Sequence, residues 1–191
     1  MKRTVWIIDG AYLFASAKQI KKHIDYIELR NEMEKLNGQE FDEVYYLNTV
    51  SSPQTEQSKN FHNFLKSARP KGAKMRVKLY PLKTQTVHCT NCSTSFEKLV
   101  QSGVDVGIAT LAIQLAVENE YDRLLLTTGD CDFMDAMTYI QGVLKKEVWV
   151  SGFHRSVSPD LQSHASNILF LDEKDDQIFT KKTYYPQPSK E

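Results

Sequence analysis

Short apolar runs alternate along the chain with segments whose apolar residues recur at helical spacing. The first pattern is typical of buried strands and the second of amphipathic helices. It predicts strands at residues 4–10, 43–49, 73–82, 122–128, 147–150 and 168–171, and helices at 13–24, 25–37, 56–68, 102–119, 133–144 and 161–165. Such alternation predicts an α/β fold with a mostly parallel central sheet covered by helices on both faces.

The alternation has no linker-like interruption, so residues 1–172 are expected to form one domain. Residues 84–96 contain a pair of cysteines and show no clear periodicity, and they are expected to be an irregular insertion. The polar segment 173–191 is expected to be a loosely attached tail.

The composition, 41% hydrophobic and 25% charged residues, is that of a globular soluble protein. No apolar run is long enough to cross a membrane, and the apolar stretch after Arg3 is too short for a signal peptide. An odd number of cysteines, three, does not favour the disulfide framework of a secreted protein. These features predict a cytoplasmic protein without a membrane partner.

The net charge is zero, but residues 57–96 contain no Asp or Glu and are strongly basic. Within them, basic and apolar residues alternate over 73–82, which predicts a strand with one buried and one cationic face. A basic face on an otherwise acidic chain is typical of a polyanion-binding surface. Lysines that merely solvate a helix and an edge strand would give the same pattern. The candidate contacts to a polyanion are Lys59, Arg69, Lys74, Arg76 and Lys78.

Two of the predicted strands end at acidic residues. Asp9 closes the first strand, and Asp130 and Asp132 follow the strand at 122–128. Ligands of open α/β sheets bind in the crevice outside the carboxyl ends of the strands, which is where these side chains are expected. Helix capping is the structural alternative for Asp130 and Asp132.

A further acid, Asp105, begins the helix predicted at 102–119. Asp105 and Ser102 have the spacing of a capping box. Asp105 also lies on the same face of the helix as three small residues, Ala109, Ala112 and Ala116. Small side chains on this face would let the helix lie close to the sheet. The carboxylate of Asp105 would then be directed toward the strand ends.

If the strands at 4–10 and 122–128 are neighbours, the four carboxylates of Asp9, Asp105, Asp130 and Asp132 converge. Such a cluster requires a hard divalent cation, and Mg²⁺ or Mn²⁺ prefers oxygen ligands. An ion of this kind activates water and neutralises phosphate charge during hydrolysis of a phosphodiester. A nearby cationic strand would hold the polyanion that contains this phosphate.

Three segments resemble, in order, the motifs of the NYN domain, in the LabA-like branch of the PIN-like nucleases. They are Ile-Ile-Asp-Gly at 7–10, Ser-Gly-Val-Asp-Val-Gly at 102–107 and Thr-Gly-Asp-Cys-Asp-Phe at 128–133. The resemblance covers roughly residues 4–171. It implies a PIN-like three-layer α/β sandwich and a metal-dependent ribonuclease that acts on RNA, with Asp9, Asp105, Asp130 and Asp132 as the catalytic and metal-binding acids.

The chain departs from the family pattern at positions around these acids. Tyr12 stands where the family usually has Asn, Ser102 where Lys is frequent, and Asn167 where Asp is usual. These departures motivate an alternative function, a catalytically weak or inactive RNA-binding protein on the same fold. Tyr12 is a candidate for stacking on an RNA base, or for packing at the start of a helix. A phosphatase of the haloacid dehalogenase type is disfavoured because Ala11 stands where that chemistry needs a second Asp.

Cys89 and Cys92 form a single CxxC pair next to His88. Structural zinc sites need four ligands, commonly two such pairs, so a Zn²⁺ site, a redox pair and two plain reduced cysteines all stay open. The NYN resemblance favours zinc slightly. Cys131, between two acids, is predicted to fill a helix start, because nearby carboxylates raise the pKa of a thiol. A homo-oligomer is compatible with the sequence but not indicated by any pattern.

Overall fold

The protein is described by a computed structural model that covers residues 2–88, 92 and 94–180. In chain order its elements are β1 (Thr4–Asp9), α1 (Gly10–Gln19), β2 (His23–Ile24), α2 (Tyr26–Asn37), β3 (Glu43–Val50), α3 (Glu56–Lys66), β4 (Arg76–Pro81), β5 (Lys83–His88), β6 (Ser95–Val100), α4 (Val104–Val117), β7 (Arg123–Thr127), α5 (Met134–Gly142), β8 (Glu147–Gly152), α6 (Pro159–His164), β9 (Asn167–Phe170), α7 (Asp175–Ile178) and β10 (Phe179–Thr180). Short 3₁₀ turns cover Cys131–Phe133 and Leu171–Lys174. No helix in this described part of the chain has both the length and the apolar character needed to cross a membrane.

A six-stranded, all-parallel sheet forms the centre of the molecule, in the order β4-β3-β1-β7-β8-β9. Every residue of β1 is buried, because a central parallel strand is covered on both faces. The predicted α/β fold with a parallel central sheet is confirmed.

The sheet separates two hydrophobic cores, which gives the three layers of a sandwich. Ile7 belongs to the core under α4, α5 and α6, whereas its neighbour Ile8 belongs to the core under α1, α2, α3 and α7. Successive residues of a strand point to opposite faces, so β1 supplies side chains to both cores. β1 is also joined to β7 by a buried hydrogen bond of 2.7 Å from Trp6 Nε1 to Thr127 Oγ1.

The expectation of an irregular insertion at 84–96 is wrong for the described residues of that range. β5 and β6 form an antiparallel hairpin, with a register from Lys83 opposite Val100 to His88 opposite Ser95. Its strands are mostly exposed, so they lack the apolar alternation that marks a half-buried strand. Backbone pairing, which leaves little trace in the sequence, holds this element.

Two boundaries also differ from the prediction, and both involve β2. The first helix ends at Gln19, and Ile24, which was expected to continue it, lies in β2. β10 pairs antiparallel with β2, and the preceding Ile178 is buried, so residues 173–180 belong to the fold and are not a loose tail. The remaining part of the expected tail, residues 181–191, lies outside the described residues.

Candidate acidic metal centre

Asp9 lies where β1 ends and α1 begins, in the centre of the carboxyl edge of the sheet. Its Oδ1 accepts hydrogen bonds from the backbone N–H groups of Ala11 and Tyr12, both at 3.0 Å, and so caps α1. No hydrogen bond to Oδ2 is present among the described residues. Asp9 is only 7% exposed, and burial, together with the charges of Asp105 and Asp130, raises the pKa of its carboxyl to about 6.

Asp130 and Asp132 follow β7, the strand next to β1. Asp130 Oδ1 accepts a 2.9 Å hydrogen bond from Asp132 N, so Asp130 caps the 3₁₀ turn Cys131–Phe133. The hydroxyl oxygen of Thr128 in turn accepts a 3.2 Å hydrogen bond from Asp130 N. The capping expected of Asp130 is confirmed, and it occupies one of the two carboxylate oxygens.

Asp105 does not take part in the capping box that its spacing with Ser102 suggested. The N-cap of α4 is Gly103, whose φ of 86° places it in the left-handed region, and it makes no side-chain cap hydrogen bond. Burial, followed by the charges of Asp130 and Asp132, raises the pKa of Asp105, although a hydrogen bond from its own backbone N–H opposes the rise. The capping-box interpretation of Ser102 and Asp105 is therefore wrong, and helix capping does not explain why an acid stands at position 105.

The acids of three separate elements lie within electrostatic reach of one another. Asp105 and Asp130 each raise the pKa of Asp9, and Asp130 also raises that of Asp105. The adjacency of β1 and β7, with Ile8 opposite Thr127, brings their carboxyl ends together. The fold therefore brings the ends of these elements near one another, and a shared site for all four acids stays a prediction.

Within the described residues, one cluster of potential metal-ligand atoms belongs to three consecutive residues. Asp130, Cys131 and Asp132 offer atoms that lie within 4.8 Å of one another, and all three residues are exposed. Asp9 and Asp105 stand outside this group. Mg²⁺ keeps several of its waters and uses one or two carboxylates directly, so the more distant acids would hold such an ion through water. Neighbouring carboxylates such as these repel one another, and a divalent cation would relieve this repulsion.

Gly107, on the first turns of α4, allows a close approach of the helix to β4. A Cβ built on Gly107 would lie 2.5 Å from Tyr80 Cζ, and the Tyr80 hydroxyl is even closer. The tyrosine ring belongs to β4 and packs on the core under α4. The glycine thus lets α4, and with it Asp105, lie against this edge of the sheet.

Gly129 has a similar role before Asp130. A Cβ there would lie 2.5 Å from Tyr12 Cε2 and would overlap the carbonyl oxygen of Ser156. The loop after β8 and the start of α1 therefore both press against the turn that carries Asp130. Any side chain at this position would push the turn, and its carboxylates, away from Asp9.

Tyr12 packs at the start of α1, which was the alternative to stacking on an RNA base. Its hydroxyl lies 2.7 Å from Ser156 Oγ and accepts a 3.0 Å hydrogen bond from Phe153 N. Burial raises the pKa of this hydroxyl despite the hydrogen bond with Ser156. Tyr12 therefore joins α1 to the loop after β8 through its hydroxyl, while its ring is half-buried.

The cationic strand face was correctly predicted for β4, but only part of it is unpaired. Arg76 and Lys78 are exposed and alternate with half-buried Val77 and Leu79. Arg76 is bound by Glu43 of the neighbouring strand β3, with Nε and Oε2 separated by 2.6 Å. Lys78 Nζ lies 5.6 Å from the Tyr80 ring centroid, and no carboxylate of the described residues forms an ion pair with it.

Lys78 is aligned with Asp9 across the sheet. Asp9 is the register partner of Leu47, and Leu47 is the register partner of Lys78. Because neighbouring strands are about 4.8 Å apart, the two Cα atoms are separated by about 10 Å. Asp9 and Lys78 therefore lie in one row on the α4 side of the sheet, with the buried Leu47 between them.

The other three predicted polyanion contacts differ in their surroundings. Lys74, just before β4, is exposed, and Lys59 on α3 is exposed and paired with Glu56. Arg69 is turned inward, with its Nη2 2.6 Å from Oε2 of the buried Glu34. The structure therefore does not bring Arg69 to the basic face.

The possible zinc pair cannot be followed through the structure, because Cys89 lies outside the described residues. Cys92 is exposed and donates a 3.3 Å hydrogen bond to Thr94 Oγ1. His88, the adjacent candidate, lies 2.7 Å from Ser95 Oγ across the hairpin. A structural Zn²⁺ at Cys89 and Cys92 stays a prediction.

Sequence reasoning missed the groups that hold the acids in place. Ser156 and Tyr80 contact the glycines that precede Asp130 and follow Asp105, yet both lie far from them in the chain. Only the glycines in the two motifs gave a signal, since an isolated glycine near a turn often marks a close approach of backbone.

Among solved structures, a protein of unknown function from Vibrio parahaemolyticus has the same fold, with a TM-score of 0.68, 23% identity and coverage of 94% of this chain and 97% of its own. MurG from Acinetobacter baumannii, at TM-score 0.38, 12% identity and coverage of 87% and 40%, is too dissimilar to support an argument. A structure of Sir2 with a p53 peptide and NAD⁺ is equally dissimilar, with a TM-score of 0.36, 11% identity and coverage of 89% of this chain and 88% of its own. A search of curated proteins gave no match. The sequence profile of the NYN domain matches residues 3–172, and the chain therefore belongs to the NYN domain family.

Proposed function

We propose that this chain is a divalent-metal-dependent endoribonuclease of the LabA-like branch, with Asp9, Asp105, Asp130 and Asp132 as its metal-binding acids and Mg²⁺ or Mn²⁺ as the ion. The NYN family in general suggests ribonuclease activity, and nucleases of the PIN-like fold in general depend on divalent metals. The observation that carries the proposal is that adjacent strands β1 and β7 end at Asp9 and just before Asp130, close enough for Asp105 and Asp130 to raise the pKa of Asp9.

The acids have different proposed roles because their hydrogen bonds differ. Asp9 and Asp130 each use one oxygen to cap a helix or turn, which fixes the direction of the other. Asp105 makes no cap, so its carboxylate is available to the ion. When bound, the ion supplies an activated water and neutralises charge on the phosphate. Burial raises the pKa of Asp9 to about 6, so below that pH the metal-free carboxyl holds a proton that competes with the cation.

The substrate is proposed to approach along the basic edge of the sheet. Lys78 and Lys74 are exposed, and Lys78 lies in the same row across the sheet as Asp9. Contacts of lysine with phosphates depend on charge and not on base identity, so we expect little sequence preference from this edge.

The test is cleavage of a circular, labelled RNA, which only an internal cut can open. We expect cleavage with Mn²⁺ or Mg²⁺ and none with EDTA. Asp130→Asn should lower the rate about 100-fold or more, the order of loss seen when an electrostatic contact to a transition state is removed. Asp160→Asn, an exposed acid in the first turn of α6, is the matched control and should retain full activity.

Two outcomes would contradict the proposal. Undiminished cleavage by Asp130→Asn would separate the activity from these acids. Salt-dependent RNA binding without cleavage under any divalent ion would favour the alternative, an RNA-binding protein with little or no catalysis.

A further inference from the structure

Cys131 is an exposed, free thiol between the two acids that follow β7. It begins the 3₁₀ turn Cys131–Phe133, with Asp130 before it and Asp132 after it. Free cysteines are among the residues most often buried in proteins, where they behave as small apolar side chains. The exposed side chain of Cys131 makes no such contribution to the core, so its thiol is available to a ligand.

The local backbone brings these three consecutive side chains together. Residues one and two positions apart on a regular helix do not face each other. Asp130, however, is extended, with φ −86° and ψ 128°, and only the residues after it enter the turn. Cys131 Sγ and one carboxylate oxygen from each of Asp130 and Asp132 lie within 4.8 Å of one another.

This spacing is close to that of the ligands around a single metal ion. A Zn²⁺ ion binds sulfur at about 2.3 Å and carboxylate oxygen at about 2.1 Å, so two such ligand atoms are at most about 4.4 Å apart. All three side chains are exposed, so small rotations of their χ angles bring the atoms within this limit. The turn therefore offers one sulfur and two oxygen ligands to a cation.

A buried carboxylate near the turn is independent evidence for a cation. Asp9 is only 7% exposed, and its Oδ2 accepts no hydrogen bond from the described residues, whereas Oδ1 caps α1. Asp130 is near enough for its charge to act on Asp9, and no ion pair of Asp9 with a basic side chain is found in the described part of the chain. Burying a carboxylate beside another acid is costly unless a positive charge compensates it.

We propose that the thiolate of Cys131 is a ligand of the ion held by Asp130 and Asp132, and that it makes the site prefer thiophilic divalent ions such as Co²⁺ and Zn²⁺ over Mg²⁺. The inference rests on the proposed metal site and adds a ligand that is not an acid. Thiolate sulfur is a soft ligand that favours such ions, whereas Mg²⁺ requires oxygen ligands. The metal–sulfur bond forms as the thiol releases its proton to water.

A role as a nucleophile is the competing explanation for the exposed thiol. Neighbouring carboxylates disfavour the thiolate that a nucleophile requires. A bound cation has the opposite effect, because a thiol that coordinates a metal is deprotonated outright. The acidic surroundings of Cys131 therefore suit a metal ligand better than a nucleophile.

Absorption spectroscopy with Co²⁺ tests the proposal without a measurement of activity. The chain has three cysteines, so the double variant Cys89→Ser/Cys92→Ser keeps Cys131 as its only thiol. We expect Co²⁺ to produce a thiolate-to-metal charge-transfer band in the near ultraviolet, which oxygen ligands alone do not give. The further substitution Cys131→Ser should abolish this band. Loss of even an outer-shell partner costs about 10–100-fold in metal affinity, so the affinity for Co²⁺ should fall at least as much, whereas that for Mg²⁺ should not fall.

Val143→Cys, made in the triple variant that has no other cysteine, is the matched control. Val143 is 61% exposed and has no Asp or Glu within three residues of it, so its replacement supplies an exposed thiol without neighbouring acids. This thiol should give no band at the same Co²⁺ concentration. A second comparison, of the unsubstituted protein with Cys131→Ser alone, keeps Cys89 and Cys92 in place. Its difference spectrum should contain the same band.

Equal Co²⁺ spectra and affinities with and without Cys131 would overturn the inference and would leave an all-oxygen site for the proposed nuclease. A band of equal strength in the Val143→Cys control would overturn it as well. A band that depends on Cys131, in a protein that does not cleave RNA, would support the sulfur ligand and contradict the nuclease. The two proposals therefore fail separately.

Discussion

The ring of Tyr80 occupies the space that a side chain at Gly107 would need, with Cζ 2.5 Å from the position of a Cβ. This contact joins the edge strand β4 to the helix that carries Asp105. The position of Asp105 therefore depends on Gly107, two residues later, having no Cβ methyl group.

Gly107→Ala should destabilise the protein by about 1–3 kcal/mol, because overpacking forces the helix or the tyrosine ring to move. It should also weaken Mn²⁺ binding, since the displaced turn carries Asp105. Urea unfolding and calorimetric titration with Mn²⁺ measure the two effects. Gly142→Ala is the control: a Cβ there meets nothing within 4 Å, so it should be neutral or stabilise slightly. Equal behaviour of the two variants would show that the contact does not matter.

The stability of the metal-free protein should fall as the pH rises from about 4 to 6. The pKa of Asp9 is raised from 3.8 to about 6 by burial and by its acidic neighbours, so the folded state holds a proton that the unfolded chain releases. Stability linked to this group is present below pH 3.8 and is lost as the pH passes 6. At 1.36 kcal/mol per unit the effect is at most about 3 kcal/mol.

Urea unfolding in EDTA between pH 4 and 8 checks this dependence. Asp9→Asn keeps an oxygen that can cap α1 but has no proton to release, so its stability should vary less across this range. At pH 7 the variant should be more stable than the unsubstituted protein. Parallel pH profiles for the two proteins would contradict the assignment.

Asp105→Asn should separate metal binding from folding. Because Asp105 caps nothing, the substitution should leave the melting temperature of the metal-free protein unchanged or slightly higher. An ion at 100 times its dissociation constant adds about 2.7 kcal/mol to stability, and this gain should be largely lost in the variant. Thermal melts with and without Mn²⁺ measure it, and Asp135→Asn, in the first turn of α5, is the control. A full metal-induced gain in Asp105→Asn would remove Asp105 from the site.

Lys78→Ala should weaken RNA binding more than Arg76→Ala, although both residues lie on the same face of β4. The charge of Arg76 is offset by Glu43, whereas Lys78 has no carboxylate partner among the described residues. Loss of one phosphate contact lowers the slope of log affinity against log salt by about 0.7 for single-stranded RNA. Binding titrations at several salt concentrations give this slope. Equal effects of the two substitutions would mean that the ion pair between Arg76 and Glu43 breaks when RNA binds.

The periodicity of the chain was sufficient to predict the sheet, the helices and the position of Asp9 and Asp130 at strand ends, because these depend on burial and on where the strands stop. It was insufficient for the Ser102–Asp105 capping box, since Gly103 begins the helix with a backbone that needs no side-chain cap. The hairpin β5–β6 buries little, so no apolar pattern marked it. Tyr12 and Ser156 meet only through the fold, and such a contact between distant residues has no local sequence signal.

The row that joins Asp9 to Lys78 also fixes the spacing between the acids and the basic edge. The two residues are about two strand spacings apart, with the fully buried Leu47 between them. Because β1, β3 and β4 are hydrogen-bonded to one another, this spacing cannot change unless the sheet itself opens. The paired strands thus act as a rigid ruler between the two groups of charges.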